Sequence, residues 1–222
     1  MTDTLRFYLS LSIGFAVIIG IVRFRKIDRS YYPFLYNTGV ALLVEIISRI
    51  LYKSGYPDAF SATLTIYSIV DFCLFAWLFH NWGLFNRSKL IFGLVIGAFS
   101  ATWLTFVILN GIISPDYYFL ILYSFALVFF SVTTFNKVVV HERGSILRNA
   151  KFLICLGIII FYTFFVVVCA TELSVFSQHV SRVLRRNVNQ INVYSNLLVN
   201  LLYALAVVWI PRNKNFTSVF RS

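Results

Sequence analysis

Charged residues are scarce in this chain. They make up 12% of its 222 residues, whereas hydrophobic residues make up 59% and phenylalanine alone occurs 24 times. Soluble globular domains are about a quarter charged and about half apolar. The composition therefore excludes an ordinary soluble domain and indicates a membrane protein. No stretch between the apolar segments is long enough for a core of its own, so we expect a single membrane domain over residues 1–222.

Metal-binding and redox motifs are also missing from the sequence. The three cysteines lie singly in apolar segments and form no Cys-x-x-Cys pair, which is typical of small buried hydrophobic residues. The three histidines are predicted to lie on both sides of a membrane, so they cannot share a metal; they are His80, His141 and His179. The last apolar segment has no lysine, which excludes retinal bound as a Schiff base. We expect no metal and no cofactor.

Seven apolar segments are present instead. A helix needs about 20 residues to cross the hydrocarbon layer, and inside lipid it must satisfy its own backbone hydrogen bonds. The segments are residues 5–22, 31–52, 62–82, 90–110, 117–136, 152–171 and 194–210. The alternation of barrel strands is absent. The sequence therefore predicts an all-α polytopic protein with seven transmembrane helices.

The basic residues predict the orientation of these helices. Thirteen lysines and arginines fall on one set of connections and five on the opposite set, while Arg49 lies within a segment. Cytoplasmic connections carry the excess of basic residues, which places the N-terminus outside and the C-terminus in the cytoplasm. The net charge of +11 follows from this topology, so we expect membrane lipids and no nucleic acid as partners.

The connection before the seventh segment predicts an amphipathic helix over about residues 176–193. Apolar residues recur there at helical spacing, with Arg182, Arg185 and Arg186 between them. Two arrangements remain open. The helix lies on the outer membrane surface against lipid headgroups, or it extends the seventh transmembrane helix outward.

Three ionisable residues lie inside the apolar segments: Glu45, Arg49 and Asp71. Such a group costs about 2.5–3.5 kcal/mol at the bilayer centre, which makes it a pointer to function. Glu45 and Arg49 are four residues apart, in the order that favours an ion pair on one helical face. A rise of about 1.5 Å per residue puts Glu45 and Asp71 at similar depth in the outer half, with Tyr67 one turn from Asp71.

A polar stripe follows one face of the seventh segment. Its members are spaced by three, four, four and three residues; they are Asn189, Asn192, Asn196, Asn200 and Tyr203. Asparagine within lipid faces another helix or a cavity. The stripe therefore predicts a polar interior in the outer half of the bundle.

Two interpretations of these polar residues remain open. In the structural one, Arg49 bridges Glu45 and Asp71, and the asparagines join neighbouring helices. In the functional one, a pocket open to the outside binds a small ligand, an ion or a lipid headgroup. That pocket would be formed by Glu45, Arg49, Tyr67, Asp71, Asn196 and Asn200, with Tyr203 below them.

Small residues form a stripe on the fourth segment at Gly93, Gly97 and Ala101. Such stripes allow close approach of helices. We expect this one to pack within the bundle, with a homodimer as the alternative partner.

Three short motifs carry a resemblance to known proteins. They are ALLVEIIS over residues 41–48, IYSIVDF over 66–72 and NLLVNLLYALA over 196–206. In these motifs the chain resembles small bacterial seven-helix integral membrane proteins, which are similar to the membrane part of seven-helix sensor kinases. The resemblance implies a sensory or accessory protein of the bacterial inner membrane.

Two functional hypotheses follow, and no enzyme signature decides between them. In the first, a small ligand or lipid binds in the outer half and shifts helices, and residues 23–29, residues 137–151 and the tail after Pro211 contact a cytoplasmic signalling partner. The alternative is a small-solute or proton-coupled transporter, or an intramembrane lipid-modifying enzyme. It would use Asp71 or Glu45 as proton carrier or general base.

Overall fold

A computed structural model describes residues 3–85, 88–114, 116–141, 146–177 and 180–212 of the chain. His179, part of the 137–151 connection and the tail beyond Arg212 lie outside the described residues, as does the side chain of His141. The described part forms helices α1 (Asp3–Ser10), α2 (Ile13–Arg23), α3 (Tyr32–Lys53), α4 (Pro57–Asn81), α5 (Lys89–Asn110), α6 (Tyr117–His141), α7 (Ala150–Glu172), α8 (Ser174–Ser177) and α9 (Arg182–Trp209).

Seven helical stretches are long and apolar enough to cross a membrane. They are Phe7–Lys26, Arg29–Lys53, Pro57–Asn81, Lys89–Asn110, Tyr117–Val140, Ala150–Glu172 and Arg182–Trp209. The prediction of an all-α chain with seven such helices is therefore confirmed. Large apolar side chains such as Val22 and Val140 are more than three-quarters exposed, which suits contact with lipid.

The first membrane stretch is interrupted between α1 and α2. Around Leu11 and Ser12 the backbone forms tighter bonds, since the Ser12 amide donates to the Leu9 carbonyl and the Gly14 amide donates to the Leu11 carbonyl. A regular helix would direct the Gly14 amide to the Ser10 carbonyl. That carbonyl instead accepts a hydrogen bond from the Asn200 side chain of α9 at 3.3 Å. A helix interrupted in lipid needs such a replacement partner.

The seventh membrane helix is longer than its apolar segment. α9 continues without a break from Arg182 to Trp209, so residues 182–193 extend it, as in the second of the two arrangements above. The Ser181 hydroxyl accepts from the Leu184 amide and caps its first turn. Arg185 pairs with Glu172 at the end of α7, with 3.3 Å between Nε and Oε1. These contacts hold the extension against the bundle.

The small-residue stripe of α5 does not pack within the bundle, and that prediction was wrong. No residue of α5 is buried. A Cβ added at Gly93 or Gly97 would meet no atom within 4 Å, and Ala101 is exposed. α5 instead contacts α4 through its other face, where the Trp103 indole donates to the Thr65 carbonyl at 3.1 Å.

An apolar core closes one end of the bundle, which we call the basic end because it carries Arg23 and Arg212. Phe34, Phe79 and Val207 are fully buried beside it. The Arg23 guanidinium donates to the carbonyls of the last turn of α9 at Val207, Val208 and Ile210. These bonds satisfy carbonyls that a helix end leaves free, and they join the first and last membrane helices.

Candidate functional site: two adjoining polar chambers

The opposite end of the bundle contains two adjoining cavities. The wide chamber has a volume of about 410 Å³ and is lined by Phe7, Ser10, Glu45, Ser48, Arg49, Tyr52, Phe60, Leu64, Asn192, Val193 and Asn196. The narrow chamber has a volume of about 160 Å³, and the polar part of its wall consists of Ser10, Asn37, Glu45, Tyr67, Asp71, Tyr162, Asn196, Asn200 and Tyr203. The two share Ser10, Glu45, Leu64 and Asn196, so they adjoin along this common wall.

The narrow chamber lies around the Asp71 carboxylate near the middle of α4. Asp71 is 2% exposed, and three side chains donate to it. Oδ1 accepts from the Asn37 amide at 2.7 Å and from the Tyr67 hydroxyl at 3.2 Å. Oδ2 accepts from the Tyr162 hydroxyl. Hydrogen bonds to an ionised carboxylate are about twice as strong as neutral ones, so these donors from α3, α4 and α7 hold a buried carboxylate without a cation among the described residues.

Tyr203 closes the narrow chamber toward the basic end. Its ring packs edge-on against Phe34, with 5.1 Å between ring centroids. It also covers Gly157 of α7 so closely that a Cβ added there would lie 2.5 Å from Tyr203 Cε1. The glycine is therefore needed at this contact, because any side chain would displace the ring.

The wide chamber is different, because several of its polar groups have no partner. Ser48 is 7% exposed, yet its hydroxyl has no hydrogen bond within the described residues, and neither has Arg49 Nε nor Asn192 Oδ1. All three residues line this chamber. Its wall also includes Tyr52, which is 60% exposed, so the chamber opens at this end of the bundle. Buried polar groups are normally satisfied, so three unsatisfied groups in the wall of one cavity are candidates for contacts with a ligand, an ion or water.

Glu45 and Arg49 do not form the predicted ion pair, and Arg49 does not bridge to Asp71. Within the described residues no lysine or arginine pairs with either carboxylate. The Ser10 hydroxyl donates to Glu45 Oε1. The Arg49 guanidinium lies over the Phe7 ring, 5.3 Å from its centroid. The structural interpretation is therefore wrong for the three ionisable residues. Glu45 and Arg49 each contact a residue of α1 instead of each other.

The structure brings all the predicted pocket residues to these two chambers. Glu45 and Asn196 line both; Arg49 lines the wide chamber, and the narrow chamber takes the remaining four, which are Tyr67, Asp71, Asn200 and Tyr203. One asparagine does join helices as the structural interpretation proposed. Asn200 donates to the Ser12 hydroxyl at 3.0 Å as well as to the Ser10 carbonyl.

Sequence reasoning missed five contributors, one of which is Ser48 in the wall of the wide chamber. Ser10 and Ser12 belong to a segment that reads as a plain apolar helix, and Asn37 and Tyr162 are single polar residues in long apolar runs. None of these residues is charged and none belongs to a periodic polar stripe, so none attracts notice by itself. The signal that was present is chemical, since a buried carboxylate without a cation needs donors from neighbouring helices.

No metal site is formed by the histidine, cysteine, aspartate and glutamate residues of the described part. In comparisons with known proteins, no family model, no curated protein and no solved structure matches the chain.

Proposed function

We propose that the chain is a multi-pass membrane protein of sensory type, which binds a small polar ligand in the wide chamber and transmits the binding to a cytoplasmic partner. One observation carries the proposal. The unpartnered polar groups of Ser48, Arg49 and Asn192 all belong to one open cavity. A cavity of this volume is typical of small-molecule sites, which combine apolar walls with a few directed polar groups.

The distribution of basic residues supports an orientation in which the wide chamber faces the outside of the cell. Of the lysines and arginines that the structure describes, most lie at the basic end, as in cytoplasmic connections. Together with the motif resemblance, this favours a protein of the bacterial inner membrane. The ligand would then come from outside or from the outer leaflet.

Contacts between the first and last membrane helices connect the chambers to the basic end, so the effect of ligand binding is transmitted along them. Beside the chambers, Asn200 of α9 holds the interruption at Ser10 and Ser12. At the basic end, Arg23 binds the last carbonyls of α9, and the Asp28 amide donates to the Pro211 carbonyl at 3.1 Å. A ligand that moves α1 at the wide chamber would therefore also move the residues at the basic end that contact α9.

A ligand screen tests the binding step. Full-length protein in lipid nanodiscs would be unfolded thermally in the presence of amino acids, organic acids, sugars, nucleosides and polyamines. We expect at least one of these compounds to raise the unfolding temperature, and Arg49→Gln to remove the shift. Arg186→Gln is the matched control, since Arg186 is an exposed residue of α9 outside both chambers. A shift that survives Arg49→Gln, or the absence of any shift, would contradict the proposal.

Hydrogen exchange tests the transmission step. With a bound compound from the screen, we expect exchange of the amides over residues 24–31 to change. Arg23→Gln should remove that change but leave binding intact, because Arg23 lies away from both chambers. Equal exchange with and without the compound would contradict transmission along this route.

Transport is a second candidate, favoured by the interrupted first helix. Transporters place discontinuous helices beside a binding site near the bilayer midplane, and the interruption at Ser10–Ser12 borders both the Asn200 contact and the shared wall of the chambers. Uptake into proteoliposomes of a radiolabelled compound from the screen separates the two functions. Uptake that stops with Asp71→Asn would favour transport, and binding without uptake would favour sensing.

A further inference from the structure

Two opposite charges of α3 are held apart beside the same cavity. Glu45 and Arg49 have the spacing and order of a helical ion pair, yet no ion pair joins them within the described residues. Both of their contacts come from α1: Ser10 donates to Glu45, and Phe7 lies under the Arg49 guanidinium. α1 therefore replaces the attraction between the two side chains with separate contacts.

Each charge keeps unused bonding capacity toward the wide chamber. Glu45 accepts from Ser10 through Oε1, and no described residue donates to its second oxygen. Arg49 has no hydrogen-bond acceptor among the described residues, and its Nε is buried. Ser48 contributes an unpartnered hydroxyl to the wall of the same chamber, and the Asn192 amide also lies in that wall.

We propose that the ligand of the wide chamber is a small zwitterion, an inference that rests on the binding function proposed above. Its carboxylate or phosphate would be bound by Arg49 and the Ser48 hydroxyl, and its ammonium group by Glu45 and the Asn192 carbonyl oxygen. Guanidinium pairs well with both kinds of anion. A simple anion would leave the Glu45 carboxylate without a cationic partner, and a simple cation would leave Arg49 without an anionic one. A neutral sugar would supply neither.

The same chemistry has two sources. A free solute of the amino-acid class carries the two charges a few bonds apart, and so does a lipid with a phosphoethanolamine headgroup. The chamber opens at the end of the bundle beside the half-buried Phe60 and the exposed Tyr52, a level that both sources can reach. The experiment below therefore has one arm for each source.

The solute arm uses full-length protein in nanodiscs of phosphatidylglycerol, titrated with the twenty amino acids and with phosphoethanolamine. Each compound is compared with its N-acetyl form, in which the acylated amine is uncharged, and each amino acid also with its α-methyl ester, in which the α-carboxyl group is uncharged. A hydrogen bond to a charged group contributes about tenfold or more in affinity. We expect at least one zwitterion to bind about tenfold more tightly than its derivatives. Arg49→Gln and Glu45→Gln should each weaken it by a similar factor, and Arg186→Gln should not.

The lipid arm compares phosphatidylethanolamine with phosphatidylglycerol nanodiscs. If the ligand is a lipid headgroup, phosphatidylethanolamine raises the unfolding temperature of the natural chain, and Glu45→Gln removes that increase. Glutamine keeps an oxygen that can accept from Ser10, so this variant tests the charge while preserving the contact that holds the side chain.

Two results would overturn the zwitterion and leave the binding function standing. One is a compound with a single charge, or a neutral one, that binds as tightly as any zwitterion and depends on Arg49. The other is a zwitterion whose affinity is unchanged by Glu45→Gln. If no compound binds in the solute arm and the two lipids give equal stability, the zwitterion fails. The binding function fails with it only when the wider screen of organic acids, sugars, nucleosides and polyamines also gives no shift.

Discussion

The two chambers solve the problem of polar groups in a membrane protein in opposite ways. In the narrow chamber the Asp71 carboxylate receives three hydrogen bonds from three helices. In the wide chamber the Arg49 guanidinium has no acceptor among the described residues, and the Ser48 hydroxyl has no partner there. The first arrangement stabilises the bundle, and the second leaves bonding capacity for a ligand. A charge in a membrane helix therefore indicates function less by its presence than by what its neighbours leave unsatisfied.

The largest expected effect is the loss of the Asp71 side chain. Asp71→Ala leaves the Asn37 amide and the Tyr67 and Tyr162 hydroxyls without their acceptor, and each buried unsatisfied group costs about 1–3 kcal/mol. We expect the free energy of unfolding in lipid to fall by about 3 kcal/mol or more. Asp71→Asn keeps one acceptor oxygen, so it should lower the free energy of unfolding by less. Equal stability of Asp71→Ala and the natural chain would mean that the narrow chamber is not a structural centre.

The next effect concerns the wall of the narrow chamber. Gly157→Ala puts a methyl group against the Tyr203 ring, and overpacking of this kind costs about 1–3 kcal/mol. Gly93→Ala is the matched control, since the space beside Gly93 is open, and it should leave the free energy of unfolding unchanged or raise it by up to about 1 kcal/mol, because alanine is the better helix former. Similar losses for both variants would contradict the close α7–α9 contact.

A smaller effect separates two asparagines one turn apart on α9. Asn200→Leu removes the bonds to the Ser10 carbonyl and the Ser12 hydroxyl, which should cost about 1–2 kcal/mol. Asn196 has no hydrogen bond to another described residue and lines both chambers, so Asn196→Leu should cost clearly less. Thermal unfolding of both variants in one lipid gives the comparison. A larger loss for Asn196→Leu than for Asn200→Leu would mean that Asn196, in the shared wall of the chambers, makes the stabilising contact.

The apolar segments and their polar exceptions could be predicted from the sequence, because hydropathy and helical spacing are local properties. Local spacing also brought Glu45, Asp71 and Asn200 to one site. Predictions from local spacing were wrong where another helix contacts the residues concerned. The Glu45–Arg49 spacing favours an ion pair, but α1 contacts both side chains. The interruption between α1 and α2 contains no proline, and only two serines and the following Gly14 mark it in the sequence.

The packing prediction for the small-residue stripe on α5 was wrong for a related reason. Small residues indicate that a close approach is feasible, and in this bundle no helix of the described part uses it at Gly93 or Gly97. A homodimer through this face stays a prediction. Which face of a helix turns inward depends on all its neighbours, and a single segment does not contain that information.

The most direct test of the contrast between the chambers is the free energy of unfolding of Arg49→Gln in lipid, measured without ligand. Arg49 has only the Phe7 ring as a described partner, a contact of about 0.5–1 kcal/mol. We therefore predict a change of less than about 1 kcal/mol, although the same variant loses ligand binding. A loss of about 3–5 kcal/mol, as for a broken buried ion pair, would show that Arg49 stabilises the fold and would contradict its role as a binding group.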